Sequence, residues 1–310
     1  MRIAPGFIGI DIAKFHLDIF DAKIGRAVRI DNTPAAIAGL TAGWAAAGAF
    51  VLFEATGHYD GALRDGLQSA HIAFARVNPA RARAFARAAG FLAKTDAVDA
   101  RMLAAMAQSL SPEPQPAASA ERARLARLNK RRDQLVANRQ QERTRRRECD
   151  DPDLLASLNE HLAWLDAAIR ALEAEVAAAI AGAPDLQASR RLLVSAPGVG
   201  PVTAATLLAL LPELGRRSPK TVAALVGLAP LNRDSGAQRG RRSIQGGRKR
   251  VRDALYIAAF SASRHDPRFA AIYQRLRDAG KPIKLALVAV ARHLLIILNA
   301  MLRDAKPFQA

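Results

Sequence analysis

Residues 7–14 read Phe7-Ile8-Gly9-Ile10-Asp11-Ile12-Ala13-Lys14, a short apolar run with a carboxylate near its end. An apolar run of this length predicts a strand, and Asp11 sits inside it. An ionised carboxylate in a buried strand is costly unless something compensates it. A metal ion is one compensation and would place Asp11 at the edge of a sheet. An ion pair with a base such as Lys14 is the other.

Working outward, Phe50–Phe53 and Ile72–Val77 are similar apolar runs, and Leu17–Phe20 and Arg26–Ile30 are placed to pair with the first as hairpin neighbours. Ala35–Ala47 and Gly61–Ala70 are helix-like stretches between them. Short strands alternating with helices predict an α/β sheet over residues 1–115. The Pro-rich segment Ser111-Pro112-Glu113-Pro114-Gln115-Pro116 marks its boundary.

Residues 116–184 change character. From Ser119 the chain is rich in Ala, Leu, Arg and Glu, and Asp151-Pro152 breaks it into two helices. In the second, Leu154, Leu158, Leu162, Leu165, Ile169, Leu172, Val176 and Ile180 fall three or four apart, a heptad seam. The seam predicts a helical hairpin, a coiled-coil contact between subunits, or both. Residues 185–310 are expected to be mostly helical, with helices at Val202–Leu211, Val251–Ser263, Ala270–Ala279 and Ile283–Leu302 and no strong strand pattern.

The 310 residues carry 46 Lys+Arg against 28 Asp+Glu, a net charge of +18, while half are hydrophobic. The hydrophobic half excludes a disordered polycation. The one-sided charge points to a polyanionic partner. A membrane is the weaker candidate, because the most apolar stretch, Pro282–Leu302, carries Lys284, Arg292, His293 and Asn299. The single cysteine, Cys149, excludes an internal disulfide framework and a multi-cysteine zinc site. With aromatics at 5%, stacking of single strands on rings is not the expected main mode. The N-terminus reaches Asp11 too soon for a secretory segment, so a reducing, cytoplasmic setting is expected.

Glu54 ends the apolar run 50–53 and precedes Gly57, a strand-end position where α/β sheets often carry their sites. Asp96 and Asp99, three apart at the start of a helix, share a face about 5–6 Å apart at Cβ, with Thr95 as N-cap. Acids in a first turn also suit the helix dipole, which explains them without a ligand. Taken together, Asp11, Glu54, Asp96 and Asp99 offer oxygens from separate elements, as hard divalent cations require. Mg²⁺ suits such ligands better than zinc, and two ions could serve a phosphodiester. The six histidines show no ligand spacing; His58 is nearest the acids and is expected only as a hydrogen-bond neighbour.

Two basic segments stand out. Residues 119–149 hold eleven Arg/Lys against four acids, among them Arg131, Arg132, Arg143, Arg145 and Arg146. Residues 233–252 hold eight against one: Arg233, Arg239, Arg241, Arg242, Arg248, Lys249, Arg250 and Arg252. A solvated face is one explanation and a phosphate-facing surface the other; an excess this one-sided favours phosphate. Pro197-Gly198-Val199-Gly200 between two helical stretches resembles a helix-hairpin-helix, whose glycines let backbone approach phosphate. A plain Gly-rich turn is its alternative. Ser235, beside Asp234 and ahead of the second basic segment, is one candidate nucleophile, with Ser243 as a rival and a turn serine as the plainer explanation.

These motifs, taken in order, resemble the DEDD transposases of bacterial insertion sequences, a family of bridge-RNA-guided recombinases. The resemblance spans nearly the whole chain. It is carried by residues 8–14, Glu54-Ala55-Thr56-Gly57, Asn78-Pro79, residues 94–101, residues 197–200, Gly227-Leu228-Ala229-Pro230 and Asp234-Ser235-Gly236. It implies an RNase H-like (RuvC-like) N-terminal domain with an acidic tetrad at Asp11, Glu54, Asp96 and Asp99. It also implies a mostly α C-terminal transposase domain with its nucleophile at Ser235. DNA would be cut through a covalent phosphoserine, with Mg²⁺ and a structured guide (bridge) RNA, in a homo-oligomer, dimer or tetramer, whose subunits share a composite site. The chain departs from some members at Ser243-Ile244, where they have Ser-Lys, which argues against a general role for Ser243. A Mg²⁺-dependent junction endonuclease using water, and a non-catalytic nucleic-acid binder, are the rival functions.

Overall fold

The computed structural model describes residues 3–55, 57, 59–91, 93, 95–115, 119–231, 240 and 242–309. They divide into two compact units, 1–117 and 118–310.

In the first unit, β1 (Phe7–Ile12), β2 (His16–Asp21) and β3 (Arg26–Asp31) form an antiparallel meander. After α1 (Pro34–Ala46) come β4 (Phe50–Glu54), α2 (Gly61–Ser69), β5 (Ala73–Val77), α3 (Pro79–Ala88) and α4 (Asp96–Leu110). β4 runs parallel to β1 and β5 parallel to β4, giving the order β3-β2-β1-β4-β5. Strand alternation divides the side chains between two cores. Ile8, Ile10, Leu17, Ile19, Val51 and Phe53 pack with Ile37 of α1 and with Leu63 and Leu67 of α2. On the opposite face Leu52 packs with Met102, Leu103 and Met106 of α4, and Phe20 with Ala100 and Ala104.

Gly9 sets how closely α4 approaches. A Cβ there would lie 2.0 Å from the Ala100 carbonyl oxygen and 2.3 Å from the Ala104 nitrogen. Only glycine lets the helix backbone rest directly on β1. This mixed sheet with its flanking helices fits the RNase H-like expectation.

The second unit is mostly helical. α5 (Ala120–Glu148) and α6 (Pro152–Ala181) form a long hairpin, capped by Ser119 and Asp151. Then follow α7 (Pro184–Val194), α8 (Pro201–Leu210), α9 (Pro219–Val226), β6 (Pro230–Leu231), β7 (Ser243–Ile244), α10 (Lys249–His265), α11 (Pro267–Asp278) and α12 (Ile283–Asp304). The seam of α6 is used within the chain: Leu165 and Ile169 pack on Leu135 of α5, and Val176 and Ile180 join the main helical core. At the other end Leu154 stays exposed. The segments 116–184 and 185–310 thus meet in one unit, since Leu125 of α5 lies in the same core as α8, α10 and α12.

α12 is long and apolar enough to cross a membrane by composition, yet half of that stretch is buried inside the protein. Val290, Leu294, Leu295 and Leu298 belong to the helical core, and Leu287 is buried as well. The two-residue ladder β6–β7 was not expected, because so short a pair leaves no periodicity in the sequence. Just outside it Gly227 and Gly247 are pressed together, so that a Cβ on Gly247 would lie 2.3 Å from the Gly227 nitrogen.

Candidate active site

The first unit brings the predicted acids to one end of the sheet. Gly9 faces α4, so Asp11, two residues on, lies on the same face of β1. Ile10 pairs with Phe53, which makes Asp11 and Glu54 the next residues along adjacent parallel strands. Leu52 packs on α4, and Glu54 two residues later shares its face. α4 begins at Asp96, with the Thr95 hydroxyl accepting from the Val98 N–H at 3.3 Å. Its first turn carries Asp96 and Asp99.

Asp11 feels this crowding. Burial pushes its carboxyl above the ordinary range, and the charges of Asp99, Asp96 and Asp18 push the same way, against a hydrogen bond from the Ile12 backbone. Lys14, the alternative partner, holds its ammonium over the Phe15 ring, 4.7 Å from the centroid. Carboxylates from separate elements, all offering oxygen, are the donor type that a hard divalent cation prefers. The tetrad therefore fits a divalent metal.

Sequence reasoning missed three neighbours. Asp18 lies directly opposite Asp11 in the β1–β2 register and is buried. Arg29, opposite Asp18 on β3, donates to it through Nε and Nη2 at 3.0 and 2.9 Å, and its Nη2 also donates to Asp96 at 2.9 Å. His16, whose spacing suggested no ligand role, places Nε2 3.5 Å from Asp18 and 3.9 Å from Asp96. Ligand atoms of His16, Asp18 and Asp96 lie within 4.8 Å of one another. The signal for Asp18 was present: it is an acid inside the apolar strand Leu17–Phe20, as Asp11 is in its own.

Ser235, Arg239, Arg241 and His58 lie outside the described residues. Of the predicted phosphate contacts, Arg242, Arg131 and Arg146 are exposed. Several, exposed ones such as Lys249 and Arg145 included, have partners inside the protein. Arg250 forms a two-pronged pair with Asp133 of α5, with Nη2 to Oδ1 at 2.8 Å. Arg252 donates to the carbonyls of Val226 and Gly246. Lys249 pairs with Asp253, Arg132 with Glu173, Arg145 with Glu142, and Arg143 lies 3.9 Å from Asp166. Gly198, at φ +77°, is pressed on α10, where a Cβ would lie 2.2 Å from the Ala258 carbonyl oxygen. Gly200 is exposed at the N-cap of α8.

Arg248 joins two elements. It donates to the Leu210 carbonyl at 2.9 Å and to both oxygens of Glu213 at 2.5 and 2.6 Å. Burial alone would push the Glu213 carboxyl up, but the bonds and charge of Arg248 hold it below its ordinary value. That stabilisation is complete above the unfolded pKa of about 4.3 and fades as pH falls through the lower folded value. Arg248→Ala is expected to cost about 2 kcal/mol at pH 7, because it leaves a mostly buried carboxylate unpaired. The gap in melting temperature between variant and parent should close as the pH is lowered below about 4. A gap that widens in acid would refute this account of the pair.

Comparison with known proteins gives a consistent picture. Residues 190–274 match the model of the Transposase IS116/IS110/IS902 family. Residues 8–149 match a DEDD model described as Transposase. The pilin gene-inverting protein of Moraxella lacunata is 30% identical over 262 residues, covering 83% of this chain and 81% of that protein. Its counterpart from Moraxella bovis matches to the same extent. The insertion element IS110 uncharacterized 43.6 kDa protein of Streptomyces coelicolor is 35% identical over 144 residues, 46% of this chain and 34% of that protein.

Proposed function

The chain belongs to the IS116/IS110/IS902 family of DEDD transposases, and from that premise we propose that it cuts and rejoins DNA through a phosphoserine at Ser235, served by Mg²⁺ at Asp11, Glu54, Asp96 and Asp99 and guided by a structured RNA. The observation that supports the acidic half is the placement of Asp11 and Glu54 at the ends of adjacent parallel strands, on the face against which the helix bearing Asp96 and Asp99 packs; burial first, and the charges of Asp99 and Asp96 next, raise the Asp11 carboxyl. A divalent ion held there supplies Lewis-acid stabilisation of charge developing on phosphate oxygens. Asp11 and Glu54 arrive on adjacent strands and the other two acids on one helical turn, so the donors are set before any ligand arrives.

In the proposed step the Ser235 hydroxyl gives up its proton as Oγ bonds to phosphorus. One phosphorus–deoxyribose oxygen bond breaks, and the departing oxygen takes a proton. One phosphoester replaces another, so no bond energy is lost to water and the strand can be rejoined elsewhere. The same exchange serves an element that moves or a segment that inverts, as the name of the pilin gene-inverting relatives describes for them. Double-stranded DNA at element ends and target, the guide RNA and further copies of the chain are the proposed partners.

Arg242, Arg131 and Arg146 are exposed and suited to phosphate. The exposed end of α8 at Gly200 is suited to backbone phosphate in the manner of a helix-hairpin-helix, whereas Gly198 is engaged in packing. The exposed start of the α6 seam at Leu154, with exposed Trp164 beside the seam, is the proposed coiled-coil contact between subunits.

The test incubates the protein with donor and target DNA and the RNA encoded beside its gene, then looks for DNA bound covalently to protein. Ser235→Ala should abolish the adduct completely. An adduct that survives Ser235→Ala overturns the nucleophile. Cleavage without any adduct in the parent protein indicates a nuclease that uses water.

A further inference from the structure

Asp18 is a buried acid directly opposite Asp11, yet the tetrad does not include it. Its side chain is 9% exposed. A buried carboxylate needs a committed partner, and Arg29 provides one through two parallel bonds of 3.0 and 2.9 Å. The β2–β3 register, with Asp18 directly opposite Arg29, makes this fork a product of strand pairing. The same Arg29 Nη2 then reaches Asp96 Oδ2 at 2.9 Å. Asp96 is otherwise poorly constrained: it is the first residue of α4 and its side chain is 54% exposed.

We propose that Asp18 and Arg29 form a positioning device for the acidic site, in which Arg29, anchored on buried Asp18, fixes the Asp96 carboxylate for metal binding. This rests on the tetrad being a metal site. The device uses one Asp96 oxygen and leaves the other uncommitted by that contact. It spares Asp96 the entropy of being ordered on binding, as hydrogen-bonded outer groups do for ligating carboxylates. The guanidinium also brings positive charge to a crowded group of acids. Arg29 is chosen over lysine for a geometric reason: a planar fork can bond both oxygens of one carboxylate and still reach a second. In this device Asp18 acts on Asp96 through Arg29, so both are positioning residues.

The experiment measures Mn²⁺ binding to the full-length chain by electron paramagnetic resonance, with no DNA or turnover involved. Arg29→Ala is expected to weaken Mn²⁺ binding about 10- to 100-fold, the usual effect of losing such an outer partner. Arg29→Ala leaves buried Asp18 without its fork and is expected to lower the melting temperature, so binding is compared at a temperature where circular dichroism shows both proteins folded. Arg29→Lys should recover only a small part of the loss, which a purely electrostatic or structural role would not predict. Asp18→Asn should match Arg29→Ala, and the double variant should be no worse than either alone. Mn²⁺ binding by Arg29→Ala as tight as in the parent, or tighter because Arg29 competes with the ion, overturns the proposal. If the parent protein itself binds no Mn²⁺, the metal-site assignment fails first, and the two failures are distinguishable.

Discussion

Asp11→Asn is expected to eliminate DNA cutting and at the same time make the metal-free protein more stable. The loss should be at least about a thousandfold, or some 4 kcal/mol of transition-state stabilisation. The gain in stability follows from the raised carboxyl of Asp11, pushed up by burial and by Asp99 and Asp96. A group whose folded pKa is raised stabilises the fold at acid pH, and that contribution is lost as pH rises through the folded value. At neutral pH the ionised Asp11 therefore works against folding, and the neutral, isosteric Asn removes that strain. An increase of about 1 kcal/mol is the scale expected for relieving such a functional conflict. Thermal melts with and without Mg²⁺ give the check. The parent should be stabilised by the ion, and the variant should start higher and respond little. A variant that melts lower than the parent without metal would refute the electrostatic picture of the site.

Gly9→Ala is the second large effect. One methyl group would have to occupy space 2.0 Å from the Ala100 carbonyl oxygen and 2.3 Å from the Ala104 nitrogen. Both are backbone atoms of α4, so no side chain can rotate away. The helix must retreat from β1, and Asp96 and Asp99 on its first turn retreat with it from Asp11 and Glu54. A cost of about 3 kcal/mol is expected from the overpacking, accompanied by weaker Mn²⁺ binding although no carboxylate has been altered. A conventional core change such as Leu63→Ala, on the face of the sheet away from α4, should cost as much stability while leaving Mn²⁺ affinity nearly intact. If both variants reduce affinity equally, Gly9 has no special role in bringing the acids together.

The proposed acidic tetrad can be picked out of the sequence because its members stand at marked positions. Asp11 interrupts an apolar strand, Glu54 ends one, and Thr95 announces the helix that starts at Asp96. Asp18 and Arg29 are not marked in this way as a pair. Their meeting depends on the register of β2 against β3, which turn geometry and the alternation of buried residues set together. The basic segments could not be apportioned residue by residue. A run of arginines counts the same whether its partners are phosphates or carboxylates, and Asp133, which holds Arg250, lies 117 residues away. Nor could the apolar spacing of α6 say whether its seam meets another subunit or α5; Leu165 and Ile169 meet α5. Exposed Leu154, and exposed Trp164 beside the seam, are what a partner helix would have left to cover.

The β6–β7 clamp sets a tether. The backbone is pinned at Leu231, where it pairs with Ser243, and Gly227 meets Gly247 just behind. Ser235 is four peptide units beyond Leu231, so its Cα can never stand farther than about 14 Å from that anchor, whatever course the chain takes. The anchor thus defines a sphere fixed to the helical unit. A scissile phosphate must enter that sphere, to within the further reach of one serine side chain, before this hydroxyl can touch it. Lengthening the tether by a few inserted residues would enlarge the sphere without changing a single chemical group, and so would separate the range of the proposed nucleophile from its reactivity.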